Sequence, residues 1–523
     1  MQFYSIAFIV FLAAALVVYY AVGKLAGKGQ WIVLLVASLA FYAYSGLDHF
    51  LFIVLTAITT WVAGLAFARS NAQVKEARKT AESRDEKKAI KQRGTNRKRV
   101  MLAITLLLNF GVLAYIKYAT TLVGYIAPDS GWSAGILLPL GISFYTFQSI
   151  SYVIDTYNGK YDPERNFAKY LLFVSFFPQL IQGPINRFDA LAQQLFEPHS
   201  FDARNARRGL LQIGYGALKK YAIADILVRW VDAVFDHVSS GMPGSVIVVG
   251  ILLYAVYQYA DFSGGIDIVL GSARLFGVEM APNVRQPDFS VSLADVWRRW
   301  HISLGAGMRV YVVYPCALVP GVQRWGKWLT KHCGKHIGRT LPACVANILV
   351  FFLVGLWHGA ESHFILWGLY NGFVIAASDL LTPVWDRLNK LFHVNVEGGA
   401  HRVFCIVRTF IVVNIGWYFD RIVNPGDLAT CFYNTVFNFQ AGMFMPEMMH
   451  LTEELRIVAL PMVAVAVVFV FVVSVLKERG HDVAGAILDW PVVARGLLYA
   501  LVIVLVASSF MFAPAGDFMY ANF

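Results

Sequence analysis

Apolar runs recur from one end of the chain to the other, separated by short polar or charged stretches. They lie at 5–22, 31–46, 50–68, 100–117, 134–155, 168–183, 209–236, 244–260, 342–358, 362–380, 403–420, 456–476 and 494–513. A helix needs roughly 20 mostly apolar residues to cross a bilayer. Some of these runs are short or interrupted. The pattern therefore predicts an all-α polytopic membrane protein with about 11 full spans plus re-entrant or short helices. A single membrane-embedded domain, 1–523, accounts for the whole length. No Lys or Arg precedes the first run, which is also long for the apolar core of a cleaved signal. It is expected to remain as the first span.

Two stretches break the regularity. In 261–340, polar residues, glycines and prolines interrupt each apolar segment, as in DFSGGIDIVLGSARLFGVEMAPNVRQPDFSVSLADVWRRWHISLG. Irregular backbone is tolerated in lipid only where protein or a wet cavity surrounds it. The region is thus expected to form short or re-entrant helices lining a cavity open to the cytoplasm. Phe176 to Phe188, FFPQLIQGPINRF, has the same character, because Pro178, Gly183 and Pro184 would break a span part-way.

Composition narrows the class. The chain is 58% hydrophobic and 15% charged, unlike a soluble protein of this length. A net charge of +11 raises the question of nucleic acid. Residues 69–99 hold 12 Lys or Arg against 4 Asp or Glu, which is most of that surplus. Because this segment joins two apolar runs, the positive-inside rule puts it in the cytoplasm. It reads as a solvated helical loop near anionic lipid, with no nucleic-acid partner. Three spans precede it, so the N-terminus is expected on the extracytoplasmic side. Lys24 and Lys28 then fall inside, in agreement with the rule, and 186–209 and 321–339 also read as cytoplasmic. The five cysteines form no CxxC pair and read as idle thiols.

Against this background GLWHGAESH, Gly355 to His363, stands out. Histidine in a membrane domain is costly and usually faces the protein interior. It is also the side chain best suited to accept a proton near neutral pH. Gly355 and Gly359 flank Trp357 and His358 and permit a helix break. His358 is thus either a cavity-facing base or a packed core histidine. WRRWHISL, Trp297 to Leu304, is dense in Trp297, Arg298, Arg299, Trp300 and His301. It reads either as an interfacial anchor, with arginines on phosphates, or as an active-site wall. No metal is expected: His358 and His363 do not share a helix face, and lysines crowd His332 and His336. Gly321 to Trp328 has Trp where a phosphate-binding loop needs Ser or Thr, and no GxSxG is present.

Five motifs occur in order: PLGISFYTFQSISYVIDTY (139–157), FFPQLIQGPINRF, YADFSGGIDIVLG (259–271), WRRWHISLGAGMRVYVVYP (297–315) and GLWHGAESHFILWGLYNG (355–372). Together they resemble the membrane-bound O-acyltransferase superfamily over roughly residues 1–380, in its bacterial alginate O-acetyltransferase and D-alanyl-transfer branch. The resemblance implies a ring of helices around a thin central wall with funnels from both faces. It implies His358 and His301 as catalytic residues. Trp297, Arg298, Arg299, Trp300 and Trp357 follow as substrate-binding residues, with Asp261 and Gln148 from the other motifs. It also implies a thioester donor, acetyl-coenzyme A or an acyl-carrier protein, entering from the cytoplasm, with no bound cofactor. The acyl group would leave on an acceptor polysaccharide outside a bacterial plasma membrane, aided by an esterase-like extracytoplasmic partner. Two features depart from the pattern. Val310 follows Arg309 where the family often has Asp, and Gly265-Ile266 replace a commoner Tyr-Ser pair. The additional C-terminal helices, in 381–523, favour acetyl transfer. D-alanyl transfer is the alternative, and a transporter of lipid-linked glycans is the alternative from another class; repeated halves, expected of a transporter, are not visible.

Overall fold

The computed structural model describes residues 5–127, 138–180, 182–236, 238, 241–455 and 459–519. Among them the regular structure is helical, apart from one antiparallel bridge between Val284 and Trp300. Among the described residues, eight helices are long and apolar enough to cross a membrane, or up to ten if each of two bent helix pairs counts as one span. The eight are Ile6–Ala26, the helix ending at Thr80, Arg84–Ile126, Gly244–Leu275, Lys335–His358, Gly399–Arg421, Leu460–Glu478 and Val492–Ser509.

The polytopic all-helical class is as expected, and three of the apolar runs do not form single long helices among the described residues, for a physical reason. The run at 134–155 becomes a helix of only 16 residues, Ile142–Tyr157, with nearly every side chain buried; its first residues, 134–137, lie outside the described set. The run at 168–183 becomes the 9-residue helix Phe167–Ser175 and the 4-residue helix Phe177–Leu180, broken at Phe176, two residues before Pro178, with Gly183 and Pro184 outside any helix. The run at 209–236 is helical but passes through a π-helical stretch, Leu218–Ala224, that carries Lys219 and Lys220. The apolar residues of Ile142–Tyr157, Phe167–Leu180 and 218–235 are largely buried against protein, a distinction hydropathy cannot make. The start of the run at 456–476 also lies outside the described residues.

Contacts divide the chain into two units, Met1–Leu210 with Val269–Ala281 and Met519–Phe523, and Leu211–Ile268 with Pro282–Phe518. In the first, the helices Leu47–Thr80 and Arg84–Ile126 carry two apolar runs straight into the basic segment. Only residues 81–83 interrupt the helix. Ser83 caps the second helix by accepting from the Glu86 amide, while the Glu86 carboxylate accepts from the Glu82 amide. These contacts end one helix and start the next with their terminal amides satisfied. A core of Tyr152, Tyr170, Phe173 and Phe188 holds the unit's centre, with ring centroids 4.6 to 6.4 Å apart.

The helix Gly244–Leu275, most of it in the second unit, runs unbroken through DFSGGID, against the expectation that its glycines interrupt it. The glycines serve close approach instead. A Cβ on Gly264 would lie 2.9 Å from the Gly216 carbonyl oxygen, and one on Gly216 would lie 2.5 Å from the Gly264 oxygen. Beside this contact Lys220 is buried between Asp225, at 2.9 Å, and Asp261, at 2.6 Å, and also donates to the Asp517 carbonyl. Lys219 pairs with Asp267 at 2.5 Å. Buried charges inside a membrane domain persist only when paired in this way.

Candidate active site

The site is built where two helix ends meet an irregular segment. The helices Lys335–His358 and Ser362–Leu380 pack closely because glycines face each other's backbone. A Cβ on Gly355 would sit 2.4 Å from the Phe364 carbonyl oxygen, and one on Gly368 would sit 2.3 Å from that of Phe351. The first helix stops at His358, as the flanking glycines imply, and Gly359 takes extended backbone before Ser362 opens the next helix. His358 is buried, with its ring centroid 4.8 Å from Trp357, 5.0 Å from Trp367 and 5.7 Å from Phe364.

The second wall comes from 283–303. Ser292 caps the short helix Leu293–Arg299 by accepting from the Asp295 amide. His301 then takes left-handed backbone, φ 46° and ψ 51°, which reverses the chain into the helix Ile302–Met308. Left-handed backbone is uncommon outside glycine, though histidine is among the residues enriched there. Asn283 fixes this turn: its backbone carbonyl accepts from the Ile302 amide and its Oδ1 from the Ser303 amide and hydroxyl. The reversal brings the His301 ring to 5.0 Å from Phe262 and 5.7 Å from Trp357. Trp357 therefore lies against both imidazoles, and His301, Trp357 and His358 form a continuous aromatic column.

Beside the column is a cavity of about 60 Å³, lined in part by Trp297, Trp300, Trp367, Asn371, Thr409 and Asn414. Asn371 orients two of its indoles, accepting from Trp297 Nε1 at 3.1 Å and donating to the Trp367 carbonyl at 2.8 Å. Asp288, exposed, lies at its rim. His358 does not line the cavity; Trp367 stands between them.

The residues singled out in the sequence divide into three groups. Trp297, Trp300, His301, Trp357 and His358 come together around the cavity and column. Arg298 is exposed, while Arg299 is held by Asp295 at 3.2 Å and by Glu478 at 2.8 Å. Asp261 is fully buried and committed to Lys220. Gln148 lies in the other unit, where it donates to the Phe173 carbonyl at 2.7 Å. Trp367, Asn371, Thr409 and Asn414 were not singled out. Their only signal in the sequence is a polar residue within an apolar helix, as at Asn371 and Asn414.

The arrangement places a titratable ring at a helix break, a second imidazole one indole away, and a narrow apolar cavity with few polar groups. It suits a reaction that needs proton transfer away from water. The sequence profile described as MBOAT, membrane-bound O-acyltransferase family, matches residues 164–317. The chain is 32% identical over 438 residues to "Probable alginate O-acetylase AlgI" of Pseudomonas syringae pv. tomato, covering 82% of this chain and 73% of that protein. It is 29% identical over 356 residues to "Peptidoglycan O-acetyltransferase" of Helicobacter pylori, covering 62% and 63%. To "Teichoic acid D-alanyltransferase" of Bacillus subtilis it is 26% identical over 287 residues, covering 53% and 67%. With its several apolar helices and this histidine-centred site, the chain belongs to the membrane-bound O-acyltransferase family and is a multi-pass membrane O-acyltransferase.

Proposed function

We propose that the chain moves an acetyl group from a cytoplasmic thioester, acetyl-coenzyme A or a phosphopantetheinyl carrier, to a hydroxyl of an exported or cell-envelope polysaccharide. The observation that carries this reading is the column His301–Trp357–His358 beside the indole-lined cavity. Acyl transfer from a thioester needs a base for the hydroxyl and donors for the developing oxyanion. His358 takes the proton as the acceptor oxygen attacks the thioester carbonyl. The C–S bond breaks, the ester C–O bond forms, and the imidazolium returns its proton to the leaving thiolate. His301 steadies negative charge on the carbonyl oxygen. Trp367 moves aside for the thioester to reach His358, because its ring separates that imidazole from the cavity.

The relatives named for acetylation of alginate and peptidoglycan support acetyl as the group and a polysaccharide as acceptor. The basic segment 69–99 supports a bacterial plasma-membrane orientation with the N-terminus outside and the donor arriving from within. Exposed Arg298 is suited to phosphates of the donor. An esterase-like extracytoplasmic partner completes delivery to the polymer. D-alanyl transfer is the second reading, favoured by the similarity to the Bacillus subtilis teichoic acid enzyme.

The test uses purified protein in vesicles with labelled acetyl thioester. Wild type is expected to release free thiol and, with the extracytoplasmic partner added, to label an acceptor glycan, and His358→Gln is expected to abolish both while inserting normally. Wild-type rates in the His358→Gln protein would remove the histidine from the mechanism. Movement of an intact substrate without thiol release would identify a transporter instead.

A further inference from the structure

The helix Ser362–Leu380 carries Trp367 at the site and then stops. Its 19 residues make it roughly 28 Å long, close to the roughly 30 Å of a bilayer's hydrocarbon core. A short helix, Thr382–Leu391, follows at once, led by Pro383 and bent 55° from the first. Its start is tied to one end of the membrane domain, because His336 Nε2 donates to the Leu380 carbonyl at 3.1 Å. The short helix therefore leaves from the end that carries the basic stretch 321–339.

It has two faces. Leu381, Val384, Trp385, Leu388, Leu391 and Phe392 recur at helical spacing and share an arc of roughly 120°. All of these but Leu388 are between 44% and 71% exposed. Asp386, Asn389 and Lys390 lie on the opposite side, and Arg387 borders the apolar arc. A continuous apolar face of this kind, rimmed by polar residues, marks contact with a membrane or a protein.

Three observations make lipid the cover. The helix begins where a full crossing of the hydrocarbon ends, at headgroup depth. Its charged residues bar it from continuing into hydrocarbon as the tail of the same crossing. The surroundings are cationic: Lys335, Arg339, Arg387 and Lys390 are exposed, none is held by a carboxylate among the described residues, and 321–339 contains no Asp or Glu. A second copy of the chain seated on this face would bring those cations against themselves. Anionic headgroups answer the charge, and acyl chains answer the apolar arc.

We propose that Thr382–Leu391 is an in-plane anchor. Its apolar face sits in the leaflet on the side of 321–339, and the four cations around it bind anionic phospholipid. The assignment is independent of the acyl-transfer chemistry.

The test places the photo-crosslinking residue p-benzoylphenylalanine at Leu391 or Trp385, and at Asp386 as the control, in the full chain. Each protein is irradiated in vesicles of equal parts phosphatidylglycerol and phosphatidylcholine carrying distinguishable labels. Leu391 and Trp385 are expected to give about tenfold more lipid adduct than Asp386. Phosphatidylglycerol adduct is expected to exceed phosphatidylcholine adduct about fivefold, the ratio that one basic residue at the surface supplies. In the quadruple variant Lys335→Gln, Arg339→Gln, Arg387→Gln, Lys390→Gln that preference is expected to fall to parity. Adducts between two protein chains in place of lipid would make the face a protein contact and overturn the inference. Equal lipid adduct from both faces, or none from either, would overturn it too. Parity of the two lipids in wild type, or a preference that survives in the quadruple variant, would refute the anionic headgroup assignment.

Discussion

Gly355 offers a direct test of how the fold positions its histidine. It lies three residues before His358, and a Cβ there would meet the Phe364 carbonyl oxygen at 2.4 Å. That oxygen is backbone, so no side-chain rotation relieves the clash. Restoring ordinary contact, which begins near 3.4 Å, requires the two helices to part by about 1 Å. Overpacking of this kind costs about 1–3 kcal/mol. The larger effect falls on catalysis, because His358 ends the displaced helix and Trp367 stands on its partner. A misplacement of about 1 Å at reacting groups costs on the order of 100-fold in rate. Gly355→Ala is therefore expected to remain folded in membranes, with thiol release lowered by about two orders of magnitude. Gly111→Ala is the control, since nothing lies within 4 Å of a Cβ there. The assay is thiol release in vesicles, alongside the thermal unfolding midpoint in detergent. Wild-type turnover by Gly355→Ala would refute the argument that glycine-mediated helix contact sets the position of the imidazole.

Other consequences are as direct. Lys220→Met removes the cation between Asp225 and Asp261 and leaves both carboxylates buried. A loss of about 3–5 kcal/mol is expected from such an unpaired site, read as a lowered unfolding midpoint; an unchanged midpoint would show that the network adds nothing to stability. At His301, Asn tolerates left-handed backbone whereas a β-branched residue does not. His301→Val is expected to be less stable than His301→Asn by roughly 1–2 kcal/mol, with both impaired in thiol release. Equal stability of the two would mean that the turn is not strained.

Much of the fold was legible because lipid imposes a one-dimensional rule. A backbone crossing it must be helical and apolar over a fixed length. Helices such as Ile6–Ala26, Gly399–Arg421 and Val492–Ser509 follow their apolar runs closely. The basic segment likewise announced the end of two spans, although its form, two long helices joined at 81–83, came from the structure. The break at His358 and the dense turn at His301 were visible as glycines and clustered aromatic and basic residues.

What the linear pattern does not carry is the identity of the neighbour. Ile142–Tyr157 and Phe167–Ser175 look like spans, but their apolar side chains are spent on protein. Asp261 and Arg299 look like ligand-binding groups, but Lys220, Asp295 and Glu478 already engage them. Thr409 and Asn414 look incidental, yet packing leaves their oxygens open to a cavity. The sequence by itself determined the class of environment, the helical segments and the histidines worth watching. Only the tertiary structure decided which polar groups are paired and which are free, because a side chain's hydrogen-bonding state is a property of what surrounds it in space.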